Sequence, residues 1–163
     1  MHPNCYKMIE KFIGGLVPKK EGLSVCDVGS FNVNGTFRKC FPPNCSYTGI
    51  DIRSGKDVDI VLKDPHRWTE LDGKQFDVVI SGNTIEHVKD IYQWFREFAK
   101  IIKPDGVFFI ISPRPCVKIH KYPIDCWRIM PDGMQFLVEE IAGLKMVKCY
   151  LSHKDVITTG RKQ

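Results

Sequence analysis

Two short stretches constrain this chain more than any others: Val25-Cys26-Asp27-Val28-Gly29-Ser30 and Tyr47-Thr48-Gly49-Ile50-Asp51-Ile52. Each is an apolar run that closes on an acid. A buried strand ending in Asp-x-Gly, followed by a second strand ending in a carboxylate, is how an open α/β sheet holds an adenosine-bearing molecule. The glycine allows a sharp turn beside the ligand, and the second carboxylate accepts hydrogen bonds from both ribose hydroxyls.

The remaining pattern agrees with such a sheet. Apolar runs suited to buried strands span 23–28, 46–52, 59–62, 76–81 and 106–112, with turns or amphipathic segments between them. Ile91, Trp94, Phe95, Phe98, Ile101 and Ile102 share one helical face, and Met8, Ile9, Phe12, Ile13 and Leu16 mark a leading helix within residues 1–20 that Pro18 closes. Strands alternating with helices predict parallel crossovers. Residues 134–142 read as a helix, and 144–151 and 155–159, separated by Ser152-His153-Lys154, as a hairpin. The expected fold is therefore α/β: a Rossmann-like three-layer sandwich around a mostly parallel seven-stranded sheet with an antiparallel C-terminal hairpin. Residues 1–163 are expected to form a single domain, with 113–133 as a lid over the substrate.

Composition excludes several classes. The chain has 163 residues, 43% hydrophobic and 26% charged, which is enough to bury a core without metal or disulfide staples. No apolar run approaches the roughly 18 residues of a membrane span, and Met1-His2-Pro3-Asn4-Cys5 lacks a signal peptide's layout, so a soluble, cytoplasmic protein is expected. The seven cysteines are odd in number and scattered, with no Cys-x-x-Cys pair and no His/Cys cluster at zinc spacing; reduced thiols and no metal are expected. The net charge of +5 comes from dispersed basic residues, so nucleic acid is disfavoured as a partner but stays open.

The first loop decides between cofactors. A dinucleotide site needs Gly-x-Gly-x-x-Gly, and this chain has Gly29 followed by Phe31 and Asn34 at the other two places. NAD, FAD and a phosphate cradle are disfavoured, and no Gly-x-x-x-x-Gly-Lys-Ser/Thr element occurs. A cofactor with adenosine but no phosphate tolerates such a loop. The segments 27–35, 47–51, 76–81 with Thr84-Ile85-Glu86-His87-Val88, and Ile102-Lys103-Pro104-Asp105-Gly106-Val107 together resemble class I S-adenosylmethionine-dependent methyltransferases of the broad type 11 group. A further piece, His120-Lys121-Tyr122-Pro123-Ile124-Asp125-Cys126-Trp127-Arg128, is similar to a narrower subgroup with Asp-Val-Gly-Ser in the first loop. Most relatives carry a small residue or glycine where Phe31 stands; Asn34 and Gly35 supply compensating flexibility.

The resemblance implies S-adenosylmethionine as cofactor and assigns residues around it. Asp27 and Gly29 lie near the methionine portion, with the amides of Gly29, Ser30 and Phe31 and the following helix start favouring its carboxylate. Asp51, with Ile52 beside it, holds the ribose. Asp64 faces the adenine amino group, Trp68 forms an apolar wall, and Ser81 and Asn83 border the sulfonium. Asp27 is alternatively a helix cap, and Asp64, before Pro65, a turn residue. Asp77 is expected to serve the start of its strand and not chemistry.

Methyl transfer from a sulfonium is an in-line displacement that chiefly needs alignment. A hydroxyl or protonated amine acceptor also needs a base, for which His87, His120 and Asp125 are the candidates. Tyr122, Trp127 and Arg128 follow the fifth strand, where a substrate pocket belongs. Arg128 either grips a substrate carboxylate or phosphate, or merely pairs with Asp125. The expected acceptor is an oxygen or nitrogen of a small-molecule or glycan-linked substrate. Ser81-Gly82-Asn83-Thr84 is unlike the Asn/Asp-Pro-Pro-Tyr/Phe element of amino-methylating nucleic-acid enzymes, and Pro115-Cys116 lacks the surroundings of a cytosine C5 nucleophile. A nucleic-acid or protein methyltransferase, and a catalytically silent S-adenosylmethionine-binding module, are the alternatives. So little chain is left for a substrate pocket that a homodimer is one way to complete it.

Overall fold

The computed structural model describes residues 3–163; Met1 and His2, which open the expected leading segment, lie outside the described residues. Seven strands build one sheet: β1 (Ser24–Val28), β2 (Ser46–Asp51), β3 (Ile60–Val61), β4 (Phe76–Gly82), β5 (Ile102–Pro113), β6 (Lys145–Ser152) and β7 (Asp155–Arg161). Their spatial order is β3-β2-β1-β4-β5-β7-β6. The pairs from β3 through β5 are parallel, while β7 runs antiparallel between β5 and β6. The expected α/β sheet with its closing hairpin is the one the chain adopts.

Strand composition explains which strands are central. Every residue of β4 from Phe76 to Ser81 is buried, as are Val25 to Val28 of β1, because both faces of these strands are covered. Val25, Val78, Ile80, Phe109 and Ile111 meet Met8, Ile9 and Phe12 of α1 (Pro3–Gly15) on one face. On the other, Cys26, Val79, Phe108 and Ile110 pack under α2 (Ile91–Lys100) and α3 (Pro131–Phe136). Asp90 starts α2 by accepting a hydrogen bond from the Gln93 amide at 3.0 Å, a cap that contributes about 1 kcal/mol. Trp94 then stacks on Phe98 with ring centroids 5.0 Å apart, and truncating such a buried ring costs about 3–5 kcal/mol.

Three expectations shift. The helix expected over 134–142 is α-helical only to Phe136 and continues as wider π-type turns over Leu137–Ile141. The run 59–62 shortens to a two-residue strand. No α-helix follows β1: an irregular loop leads to a short 3-10 turn at Arg38–Cys40. Turn chemistry wins there. The Asn32 side chain accepts from the Gly35 amide at 2.7 Å and donates to Asp57 at 2.5 Å, so a side chain replaces helical backbone bonding.

Candidate active site

The carboxyl ends of β1, β2 and β4 open onto a crevice of about 1030 Å³, placed where strand order reverses beside β1. Its walls are the loop after β1, residues 51–53, 62, 64–66, 68, 83–84 and 87–89, and part of the stretch 113–124.

At the near end, Gly29 adopts φ +82°, and a Cβ there would lie 2.0 Å from Thr84 Oγ1, so both backbone and space demand glycine. Asp51 is half-buried at the tip of β2. Its Oδ2 accepts from the Phe31 amide at 3.2 Å and its Oδ1 from the Arg53 amide at 3.0 Å, which orients the carboxylate and leaves lone pairs facing the crevice. Ile52, 49% exposed, offers an apolar surface beside it. Asp64 accepts from the His66 amide at 2.8 Å, so it is a turn residue that also lines the crevice. Trp68 donates its indole N–H to Pro65 O and packs edge-on against Trp94; it is a core residue that reaches the wall.

Asp27 is buried, and its Oδ2 accepts from Tyr47 Oη at 2.7 Å. Burial pushes its carboxyl up to about 7, against the opposing effect of the Tyr47 hydrogen bond. The expected helix start at Gly29 to Phe31 is absent, and those amides are already engaged: Gly29 and Ser30 donate to Ile50 O at 2.8 and 3.0 Å, and Phe31 to Asp51. They do not present an anion cradle. Phe31 is accommodated because Gly55 packs against its ring, where a Cβ would come within 2.2 Å. The buried Ser30 hydroxyl lies over Gly49 and makes no hydrogen bond. Asn83, at φ 53°, lines the crevice. Ser81 does not: it is fully buried and donates to Val28 O at 2.8 Å, tying β4 to β1.

At the far end, His87 and His120 meet edge to face with ring centroids 5.2 Å apart, and both line the crevice with half-exposed Tyr122. His87 Nδ1 lies 2.6 Å from Ile124 O, an acceptor, so Nδ1 carries the proton and Nε2 bears the lone pair. Burial lowers the His87 pKa, more than the Ile124 contact raises it. Beneath the pair is Glu86, fully buried, its Oε1 3.7 Å from His87 Nε2 and 3.6 Å from His120 Nε2. Neither Glu86 oxygen receives a hydrogen bond from another residue, and burial raises its carboxyl to about 8. Sequence reasoning passed over Glu86 because an acid in a short polar turn reads as solvated; its one signal is the neighbouring Ile85, equally buried.

The other expected acceptor residues stand outside the crevice. Asp125 is gripped by both terminal nitrogens of Arg128 and by the His120 amide at 2.6 Å, and the Arg128 hydrogen bonds hold its carboxyl down at about 2. It is tied into this segment, away from the crevice lining. Arg128 also donates to Trp127 O and Lys118 O, so its terminal nitrogens are engaged inside the protein. Trp127 donates to Val88 O at 2.7 Å, pinning the segment to the turn after β4.

A methyltransferase domain family matches residues 7–141. A ubiquinone biosynthesis O-methyltransferase of Pelagibacter ubique (strain HTCC1062) is 34% identical over 53 residues, a match that takes in 32% of this chain and only 22% of that enzyme's length. Among solved structures, the CurJ carbon methyltransferase superposes with TM-score 0.71 at 14% identity over 97% of this chain and 53% of that one. The N-methyltransferase NodS from Bradyrhizobium japonicum WM9, in complex with S-adenosyl-L-homocysteine, does so with TM-score 0.68 at 12% identity over 98% and 86%. Oxygen, carbon and nitrogen acceptors all occur among these names, so the shared fold is silent on the acceptor.

Proposed function

From the premise that this chain belongs to the methyltransferase domain family, whose methyl donor is S-adenosylmethionine, we propose that it methylates an oxygen or nitrogen of a small-molecule or glycan-linked acceptor. One observation carries the reading: an oriented, half-exposed carboxylate at the tip of β2 and a pair of imidazoles after β4 and β5 line one crevice. Its volume is ample for a nucleoside cofactor and a small acceptor together.

The residues present fit the cofactor. Asp51 has lone pairs for both ribose hydroxyls, with Ile52 beside it for the base and Asp64 near the adenine edge. Asp27, its carboxyl near neutrality, supplies negative charge for the methionine ammonium, and the unbonded Ser30 hydroxyl is a second polar group nearby. Bound S-adenosylmethionine supplies an electrophilic methyl on a good leaving group. The chain aligns the acceptor against it, and the imidazoles of His87 and His120, that of His87 kept neutral by burial, line the wall where the acceptor's proton departs. Lys121 and Lys154 on the same wall favour an acceptor carrying negative charge.

Isothermal titration with S-adenosylmethionine, followed by labelled methyl transfer to panels of hydroxylated and amino metabolites and glycans, tests this. Saturable binding and transfer to one such class are expected. Transfer confined to RNA, DNA or protein would overturn the acceptor reading, and binding without any transfer would leave a binding module.

A further inference from the structure

We propose that Glu86, His87 and His120 bind one divalent transition-metal ion of the zinc or cobalt type at the acceptor end of the crevice. One ligand atom from each residue lies within 4.8 Å of the other two. Around a tetrahedral ion with bonds of about 2.0–2.2 Å, neighbouring ligand atoms stand about 3.4 Å apart. The Glu86 to histidine separations of 3.7 and 3.6 Å are close to that, and with all three atoms within 4.8 Å of one another, side-chain rotation closes the set.

Two independent features point the same way. The first is orientation. His87 Nδ1 sits 2.6 Å from Ile124 O, and His120 Nδ1 sits 3.3 Å from Lys118 O and 3.7 Å from Asp125 Oδ2. Both rings thus direct Nδ1–H at an oxygen and turn Nε2 toward Glu86, as metal-bound imidazoles are held. The second is the carboxylate. Glu86 is fully buried with neither oxygen hydrogen-bonded by another residue, an expensive arrangement unless a cation supplies the missing partner. Two nitrogens and one carboxylate suit zinc, cobalt or iron(II) and disfavour magnesium and calcium, which prefer oxygen shells. Sequence spacing hides the set because its third ligand comes from a separate segment, which Asp125 and Trp127 pin in place.

Glu86 lies beneath the floor while both histidines line the crevice, so the open coordination positions face the acceptor. The role of the ion rests on the methyltransferase reading above, whereas its binding does not. An acceptor hydroxyl at an open position is acidified and loses its proton to solvent. Its oxygen then forms the bond to the methyl carbon as the carbon–sulfur bond breaks and sulfur keeps the electron pair. The imidazoles thereby act through the ion instead of as a free base.

The test is cobalt(II) titration of metal-free protein, followed by visible absorption and calorimetry, for wild type, Glu86→Gln and His120→Ala, with circular dichroism confirming folding. One equivalent is expected in wild type, with affinity at least tenfold weaker in each variant. His120 is half-exposed, so its variant tests the site even if Glu86→Gln fails to fold. Absence of binding to wild type, or binding that survives both variants with the thiolate charge-transfer band of exposed Cys116 or Cys126, overturns the site. S-adenosylmethionine titration of the same metal-free protein separates the two readings: cofactor binding without cobalt binding sinks the metal site alone, and the converse sinks the methyltransferase reading alone.

Discussion

Asp77 and Asp27 stand on adjacent strands of one sheet, at opposite ends, and the fold treats them oppositely. At the amino end of β4, Asp77 accepts from Lys20 at 2.7 Å, from the Ser24 amide and hydroxyl at 2.9 and 2.6 Å, and from Lys103 at 3.0 Å. Burial opposes its ionisation, but these donors outweigh burial and hold the carboxyl well below the ordinary range. At the carboxyl end of β1, Asp27 has Tyr47 as its hydrogen-bonding side chain and is raised to about 7. A saturated carboxylate ties strands together; an undersupplied one awaits a partner. Glu86 and Ser30 sit at the undersupplied end too.

That contrast predicts a double dissociation. The largest effect is on stability: Asp77→Ala strands two lysines and a serine and should lower the unfolding free energy by about 2–3 kcal/mol at neutral pH, while S-adenosylmethionine affinity stays within about twofold. Its penalty should shrink in acid, because a depressed carboxyl contributes stability above its unfolded pKa and loses it as pH falls through the folded value. Asp51→Ala should do the reverse, weakening S-adenosylmethionine binding about 10–100-fold by calorimetry with a smaller change in melting temperature. If both variants act alike, the two ends are not distinct.

Asp27→Asn gives the next effect, with the opposite pH sign. The unfolded carboxyl ionises near 3.8 and the folded one near 7, so wild type loses stability as pH rises through that interval. The melting temperature of the variant relative to wild type should climb by a few degrees between about pH 4 and pH 7 and then level off. A flat difference would remove the burial argument. The smallest effect marks the boundary of the site: Ser81→Ala loses one buried hydrogen bond, about 1 kcal/mol by denaturant unfolding, and leaves the affinity for S-adenosylmethionine unchanged. A marked loss of affinity would return Ser81 to the crevice.

The sheet was legible because its signals are local. Val25 to Val28 and Phe76 to Ser81 are mostly apolar and buried on both faces, Asp27 and Asp51 stand at strand ends, and the hairpin needs only a three-residue turn. The loop after β1 was less so: the fold's usual helix was expected, and Asn32 paired with Gly35 and Asp57 prevailed over it. Within the site, residue type was readable but direction was not. Ser81 and Asn83 are two apart, yet one faces the core and the other the crevice. Arg128 and Asp125 pair with each other, which depends on how segment 113–133 folds back on the Glu86 turn, where the Cys126 amide donates to Glu86 O at 2.7 Å. No local pattern encodes that long return.

The position of β7 has a consequence for biosynthesis. Because it fills the slot between β5 and β6, the apolar stretch Val107 to Ile111 has a bare backbone edge until residues 155–161 have left the ribosome. A nascent chain stalled before that point carries a sticky, half-built layer, and chaperone demand should concentrate in that interval of translation.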